Sequence, residues 1–208
     1  NFKDAYTSFR KLCLDPQSDP KLVAKDFHAA SQCLMNLGRN SEFDELAESV
    51  VTVQAKNWRL LQAAAIQYLN ADHNGFMIAG KFQRGQNRRG DGKSINKPAN
   101  SLERDRVVAL QFMVKALPLV KEDNEKNDVA DFYQALATDL LANRGHYDAW
   151  RLQYLTDLAK LPDYDEGFSY GSDYQGAPVD AEGKPVFHRA SKTWDAAETD
   201  GQRWRWAL

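Results

Sequence analysis

Cysteine is scarce in this chain: Cys13 and Cys33 are the only two in 208 residues. Two thiols outside any C-x-x-C spacing supply neither a disulfide framework nor a metal knuckle, so compartment is not settled by cysteine usage. The expectation is two buried thiols packed as small hydrophobes, with pairing across a helical hairpin left open. Long apolar runs are missing as well. No stretch approaches 18 residues and the mean hydropathy is −0.62, which excludes a membrane-spanning helix. A surplus of one charge is also lacking. Lys and Arg number 27 against 29 Asp and Glu, a net −2, so no global field advertises nucleic acid or an acidic membrane. Asn1 is not an initiator Met and no basic-then-apolar leader follows it, which predicts a signal peptide already removed.

What is present is a globular composition. Apolar residues make up 43% of the chain, with 10 Phe, 8 Tyr and 5 Trp, which excludes wholesale disorder. A chain of this length buries roughly 70% of its unfolded surface, enough for a core without metal or disulfides.

Glycine placement divides the chain. Only Gly38 interrupts residues 1–74, whereas Gly75, Gly80, Gly85, Gly90 and Gly92 crowd one loop. Gly167, Gly171, Gly176 and Gly183, with Pro162, Pro178 and Pro185, crowd another. Between these clusters the apolar period is helical. Val23, Phe27, Ala30, Leu34 and Leu37 draw one stripe, with Asp19 before Pro20 as the expected N-cap and Gly38 as the stop. Phe43 to Val53, Trp58 to Tyr68, Val107 to Leu117 and Val129 to Leu140 repeat the stripe, and Pro118 is expected to bend or end its helix. With an opening helix around Tyr6 and Phe9, and another predicted over Tyr147 to Leu161, the pattern predicts seven helices before residue 162.

Short connections force consecutive helices into antiparallel hairpins. Phe43 and Tyr147 each precede Asp at a helix start, and their separation of 104 residues is close to three tetratricopeptide periods of about 34. The expected fold is therefore all-α over residues 1–160: antiparallel helical hairpins in a tetratricopeptide-like or α-solenoid array. Residues 161–208 are read as an aromatic-rich irregular extension with a small hairpin over Ala177–Phe187. A final helix starts near Ser191 or Asp200 and runs to the end of the sequence. Because the chain stops on Trp204, Trp206 and Leu208 with no cap, it is expected to be a piece of a longer protein. Trp204, Ala207 and Leu208 are expected to pack inward, leaving Trp206 as a contact for a following domain or a second copy.

Motifs that carry chemistry are thin. Gly92-Lys93-Ser94 ends like a phosphate-cradling loop, but Asn87 stands where its first Gly belongs and Ile-Asn-Lys-Pro follows rather than a helix. His28, His73, His146 and His188 are scattered without metal or catalytic spacing. Asp163, Asp165 and Glu166 miss the calcium-loop pattern because Phe168 occupies its Gly position. No catalytic, cofactor or metal residue is assigned. The loop 81–100 is distinctive: Lys81, Arg84, Arg88, Arg89, Lys93 and Lys97 oppose Asp91 alone. Such a loop either docks on its own acidic body or grips phosphate or an acidic partner. Only Phe82 interleaves it, which disfavours stacking on single-stranded bases. The candidate partner-binding residues are Arg84, Arg88, Arg89, Lys93 and Trp206.

Several segments together resemble the N-terminal helical region of large bacterial alpha-2-macroglobulin-like proteins. They are Asn57-Trp58-Arg59-Leu60-Leu61, Gly75-Phe76-Met77-Ile78-Ala79-Gly80 with its Arg/Gly loop, and Asn100 through Arg106. Trp150 through Leu155, Gly176 through Phe187 and Asp200-Gly201-Gln202-Arg203-Trp204 extend the resemblance over nearly the whole chain. The resemblance implies a non-catalytic leading domain of a secreted or periplasmic protease-trapping protein. Neither Cys13-Leu14-Asp15-Pro16 nor Cys33-Leu34-Met35-Asn36 matches the C-x-E-Q thioester of that family, so no trapping residue carries over.

These readings converge on a non-catalytic interaction or scaffold module, without cofactor, whose partner is protein, including other domains of a parent chain. The alternatives are a nucleic-acid or phosphoanion binder acting through loop 81–100, and a helical hydrolase using His73 or His146. The partner's identity, the role of the basic loop and the oligomeric state are not encoded in any motif.

Overall fold

A computed structural model describes residues 1–85, 96–142, 149, 152–168, 179 and 181–208. Seven α-helices are described: α1 (Phe2–Cys13), α2 (Val23–Asn36), α3 (Phe43–Val53), α4 (Trp58–Leu69), α5 (Leu102–Lys121), α6 (Lys126–Leu141) and α7 (Asp200–Ala207). Strands β1 (Asn74–Ile78), β2 (Lys81–Arg84), β3 (Lys97–Asn100) and β4 (Asp165–Glu166) form an antiparallel sheet in the order β2-β1-β3-β4. The all-α expectation is thereby corrected: the protein is a mixed helix-and-sheet fold.

The helices begin and end for local reasons. Asn1, Asn57 and Thr199 side chains accept from the backbone N–H groups of Lys3, Leu60 and Gln202, capping α1, α4 and α7. Asp19 instead closes a turn, its Oδ1 accepting from the Lys21 N–H at 2.9 Å, and α2 starts later, at Val23. Gly38, at φ +65°, lets the Arg39 N–H return to the Leu34 carbonyl at 2.9 Å and stop α2. Pro118 does not end α5. It lies in the last turns of a helix that runs on to Lys121.

The sheet was hidden by its own residues. Strand β1 contains Gly75 and β3 contains Pro98, both of which argue against a strand when read in sequence. Gly75 is required: a Cβ there would run into the Gln83 carbonyl and the Phe82 ring on β2. The β1–β2 turn is Ala79-Gly80, both at positive φ, a primed hairpin turn without the usual Asn-Gly signal.

One core unites the molecule. Helices α1 and α2 form a hairpin, α4 lies along α5, and α6 packs on α5 and α7. Phe27, Leu34, Leu61, Leu110, Met113, Phe132 and Leu136 are fully buried there. Residues after 160 join it, because β4 pairs with β3 and Trp194 is buried against the same cluster.

The helix expected over residues 147–161 is not present in its described part. Leu152 is fully buried, but residues 152–161 run irregularly. The Leu152 and Tyr154 carbonyls accept from the Gly201 and Asp200 N–H groups at 3.0 and 2.7 Å. Those backbone groups are satisfied by the start of α7 rather than by a helix of their own. In the predicted small hairpin, Val179 and Pro185 form an isolated antiparallel bridge.

Cys13 and Cys33 are buried free thiols on the α1–α2 hairpin. Burial, with a smaller push from Asp26, drives the Cys13 thiol up to about 12. Ellman's reagent at pH 8 should therefore find neither thiol reactive in the native protein and both in denaturant. Rapid stoichiometric labelling without denaturant would contradict this packing.

Candidate functional site

The sheet meets the helices at a buried charged cluster built around Arg84, the last residue of β2. Its side chain is 2% exposed. Nη1 donates to Asp105 Oδ2 at 2.7 Å and Nη2 to Asp105 Oδ1 at 3.0 Å, a bidentate pair with the first turns of α5. Nη2 and Nε also donate to Asp44, at the start of α3, at 2.7 and 3.2 Å. Nη1 reaches the Asp72 carbonyl at 2.9 Å and Ser101 Oγ at 3.1 Å, so every guanidinium N–H is engaged. The rings of Phe43 and Phe82 face the same cation, with centroids 5.4 and 5.6 Å from it.

Asp105 is equally saturated. His73 Nδ1 donates to its Oδ2 at 2.8 Å and Ser101 Oγ to the same oxygen at 2.6 Å. Burial disfavours the carboxylate, but the hydrogen bonds from His73, Arg84 and Ser101 outweigh it and hold its pKa below the ordinary value. Burial likewise works against Arg84, and the contacts with Asp105 and Asp44 reverse it, leaving the guanidinium more firmly protonated than usual.

Serine, histidine and aspartate thus meet here, but in the wrong order for a nucleophile relay. A hydrolytic triad places histidine between the hydroxyl and the carboxylate. In this cluster Asp105 is in the middle, and Ser101 and His73 both donate to it.

A second buried cluster seats α7. Arg106 and Asp200 have side chains at 0% exposure. Arg106 Nη2 donates to Asp200 Oδ2 at 3.2 Å and to the Leu140 carbonyl at 3.0 Å. Arg203 Nη1 donates to Asp200 Oδ1 at 3.1 Å. Asp139 lies nearby with an Oδ2 that has no hydrogen-bond partner. Burial raises its pKa to about 7, against the opposing pull of Arg106.

The sign for Asp139 follows from that direction. A carboxyl whose folded pKa lies above its ordinary 3.8 stabilises the fold when protonated, and that contribution is lost as pH rises from about 4 to about 7. Asp139→Asn should remove this slope and gain on the order of 2 kcal/mol at pH 8, read by urea unfolding across that range. An unchanged slope in the variant would contradict it.

Of the candidate partner-binding residues from the sequence, Arg84 and Trp206 lie among the described residues. Arg84 is turned into the interior. Arg88, Arg89 and Lys93 lie outside the described residues, as does His146. Trp206 is half-buried and edge-on to Tyr133 of α6 and to Trp194, at 5.7 and 5.9 Å between centroids. Leu208, expected on the packed face, follows the last residue of α7 and is 68% exposed. His28 Nδ1 lies 2.7 Å from Gln67 Nε2, and His188 Nε2 donates to the Ala149 carbonyl at 3.1 Å. Among the described residues no group of His, Cys, Asp and Glu can hold a metal ion.

Hollows open at the surface of the described residues. A wide cleft of about 790 Å³ between α1 and α3 carries charges of both signs, with Arg39 and Glu42 paired in two hydrogen bonds. A smaller cavity of about 370 Å³ lies between α2 and α4, with Phe43 and Arg84 in its lining. Sequence reasoning missed this cavity, since its lining is assembled from α2, α3, α4 and β2, which only the fold brings together.

Compared with known proteins, the chain matches no family model, no curated protein and no solved structure. Among the described residues no helix is long and apolar enough to cross a membrane.

Proposed function

We propose that this chain is a non-catalytic interaction module whose partner is protein. The observation that carries the reading is the saturation of the Arg84–Asp105 cluster. Every N–H of the Arg84 guanidinium is donated, and Asp105 accepts from Arg84, His73 and Ser101, inside the fold. What remains open beside them is the α2–α4 cavity, lined mostly by apolar and uncharged polar side chains. The segmental resemblance to alpha-2-macroglobulin-like proteins supports setting the module in a larger secreted or periplasmic chain, with other domains of that chain as partners.

The competing reading is phosphoanion or nucleic-acid binding through loop 81–100. Of its proposed contacts, Arg84 is committed to two carboxylates. Fluorescence anisotropy with labelled single- and double-stranded oligonucleotides, titrated with salt, separates the two. The module reading expects no tight salt-sensitive binding. Tight binding with a steep salt slope, abolished by replacing Arg88, Arg89 and Lys93, would overturn it. Cross-linking of the natural full-length product provides the positive arm, with links expected from these residues to other domains.

A further inference from the structure

Asp139 is a carboxyl where the pattern of α6 asks for an apolar side chain. It shares the buried stripe of Phe132, Leu136 and Leu140 and is 5% exposed. Its Oδ2 is sealed from solvent and has no hydrogen-bond partner. A buried carboxyl without donors disfavours its charged form, and the raised pKa of about 7 follows from that burial.

Beside it lies a cation already engaged by another acid. Among the described residues Arg106 of α5 is the one charge that acts on Asp139. Its Nη2 donates to Asp200 and to the Leu140 carbonyl, and its Nη1 to Thr156 Oγ1 at 2.8 Å. The other charged groups of α7 and α4 are engaged elsewhere. Arg203 donates to Asp200, Arg205 lies over Trp204, and Arg59 pairs with Asp128 in the first turn of α6. One buried guanidinium thus has two carboxyl neighbours and is bonded to the one that α7 supplies.

The seat of α7 is the same end of α6. Trp206 meets Tyr133, while Asp200 is joined through Arg106 to the Leu140 carbonyl. Helix α7 therefore runs antiparallel to α6, with its first turn on the turn of α6 that carries Asp139.

We propose that α7 is a proton-linked latch: it seats while Asp139 is protonated and Arg106 is held by Asp200, and it lifts when Asp139 ionises and takes Arg106 in place of Asp200. Lifting removes Asp200 from Arg106 and opens the seat to water, and both changes favour the Asp139 carboxylate. Seating therefore binds a proton. Its contribution is full below the ordinary value of 3.8 and is lost as pH rises from about 4 to about 7, so the latch closes in mild acid. The inference stands apart from the interaction-module reading.

The test is hydrogen exchange of the α7 amides in the whole chain, corrected for the intrinsic pH dependence of exchange, beside urea unfolding in the same buffers. The α7 opening constant is expected to rise about tenfold or more between about pH 5 and pH 7, since one linked proton permits up to about tenfold per pH unit. Asp139→Asn should hold that constant within about twofold over the same range. A second measurement keeps the proposal testable should that variant fold poorly. Followed by ¹³C NMR, the Asp139 carboxyl should titrate about one pH unit or more lower in Asp200→Ala than in the wild type. An α7 opening constant indifferent to pH, with global unfolding carrying the whole slope, would overturn the latch, because Asp139 would then stay sealed when α7 leaves. An Asp139 titration unmoved by Asp200→Ala would overturn it as well. So would a slope that survives Asp139→Asn, which would point instead to His188, whose ring packs on Gly201 at the start of α7.

Discussion

Replacing Arg84 by methionine is expected to lower the melting temperature by about 10 °C, the largest effect of any single substitution in the sheet. Removing one member of a buried ion cluster costs about 3–5 kcal/mol, because the partners are left charged and uncompensated. For a chain of this size each kcal/mol moves the midpoint by about 2–4 °C. Asp105 is the group exposed by the change, with a side chain 3% exposed and a second carboxylate, Asp44, nearby. The pH dependence supplies an internal check. Asp105 has a folded pKa below its ordinary 3.8, so its stabilising contribution is present above that value and lost as pH falls through the folded one. The wild type should therefore lose stability on acidification below about pH 4, and Arg84→Met should lose much less. A variant that melts within a degree or two of wild type at pH 7 would show that the cluster does not hold the sheet to the helices.

Asp200→Ala is expected to cost a comparable amount and to release the C-terminal helix. Asp200 is fully buried, and it accepts from Arg106, from Arg203 and from the Thr156 N–H at 3.1 Å. Its loss leaves Arg106 as a buried cation stripped of its carboxylate, a cost of about 3–5 kcal/mol. The readout is built in, because Trp194, Trp204 and Trp206 report on α7 and its contacts. Tryptophan emission should shift to the red before the helical signal is lost, splitting a single transition into two. One cooperative transition at the wild-type midpoint would contradict the assignment of α7 to this anchor. Asp200→Asn should fall between the two, keeping the acceptor and losing the charge.

How much of this was legible in the sequence varied by element. Helices α2 to α6 follow from apolar stripes of period 3.6, which is a local property, and Gly38 ends α2 as its position predicts. The sheet was not legible. Its strands run two to five residues, carry Gly75 and Pro98, and turn on Ala79-Gly80, so each local preference argued against them. Their stability comes from tertiary context, with Gly75 chosen for close approach and Arg84 for its partners on α3 and α5. Residues 152–161 show the converse. Tyr154, Leu158 and Leu161 have helical spacing, yet the backbone of Leu152 and Tyr154 bonds to α7, which no window of sequence can reveal. The charged cluster was half visible. Arg84 and His73 were singled out, but as a surface cation and an isolated histidine, because only the fold brings Asp44, Ser101 and Asp105 to them. The α2–α4 cavity had no sequence signal, since its lining comes from elements far apart in the chain.

The central claim is that Arg84 is a sealed structural cation and not a ligand for phosphate. The most direct measurement is ¹⁵N-resolved NMR of its guanidinium group at neutral pH, before and after addition of inorganic phosphate. The account predicts slowly exchanging Nε and distinct Nη signals that phosphate leaves in place, since each N–H is held by Asp44, Asp105, Ser101 or the Asp72 carbonyl. Averaged, rapidly exchanging signals, or signals that move on phosphate addition, would contradict it.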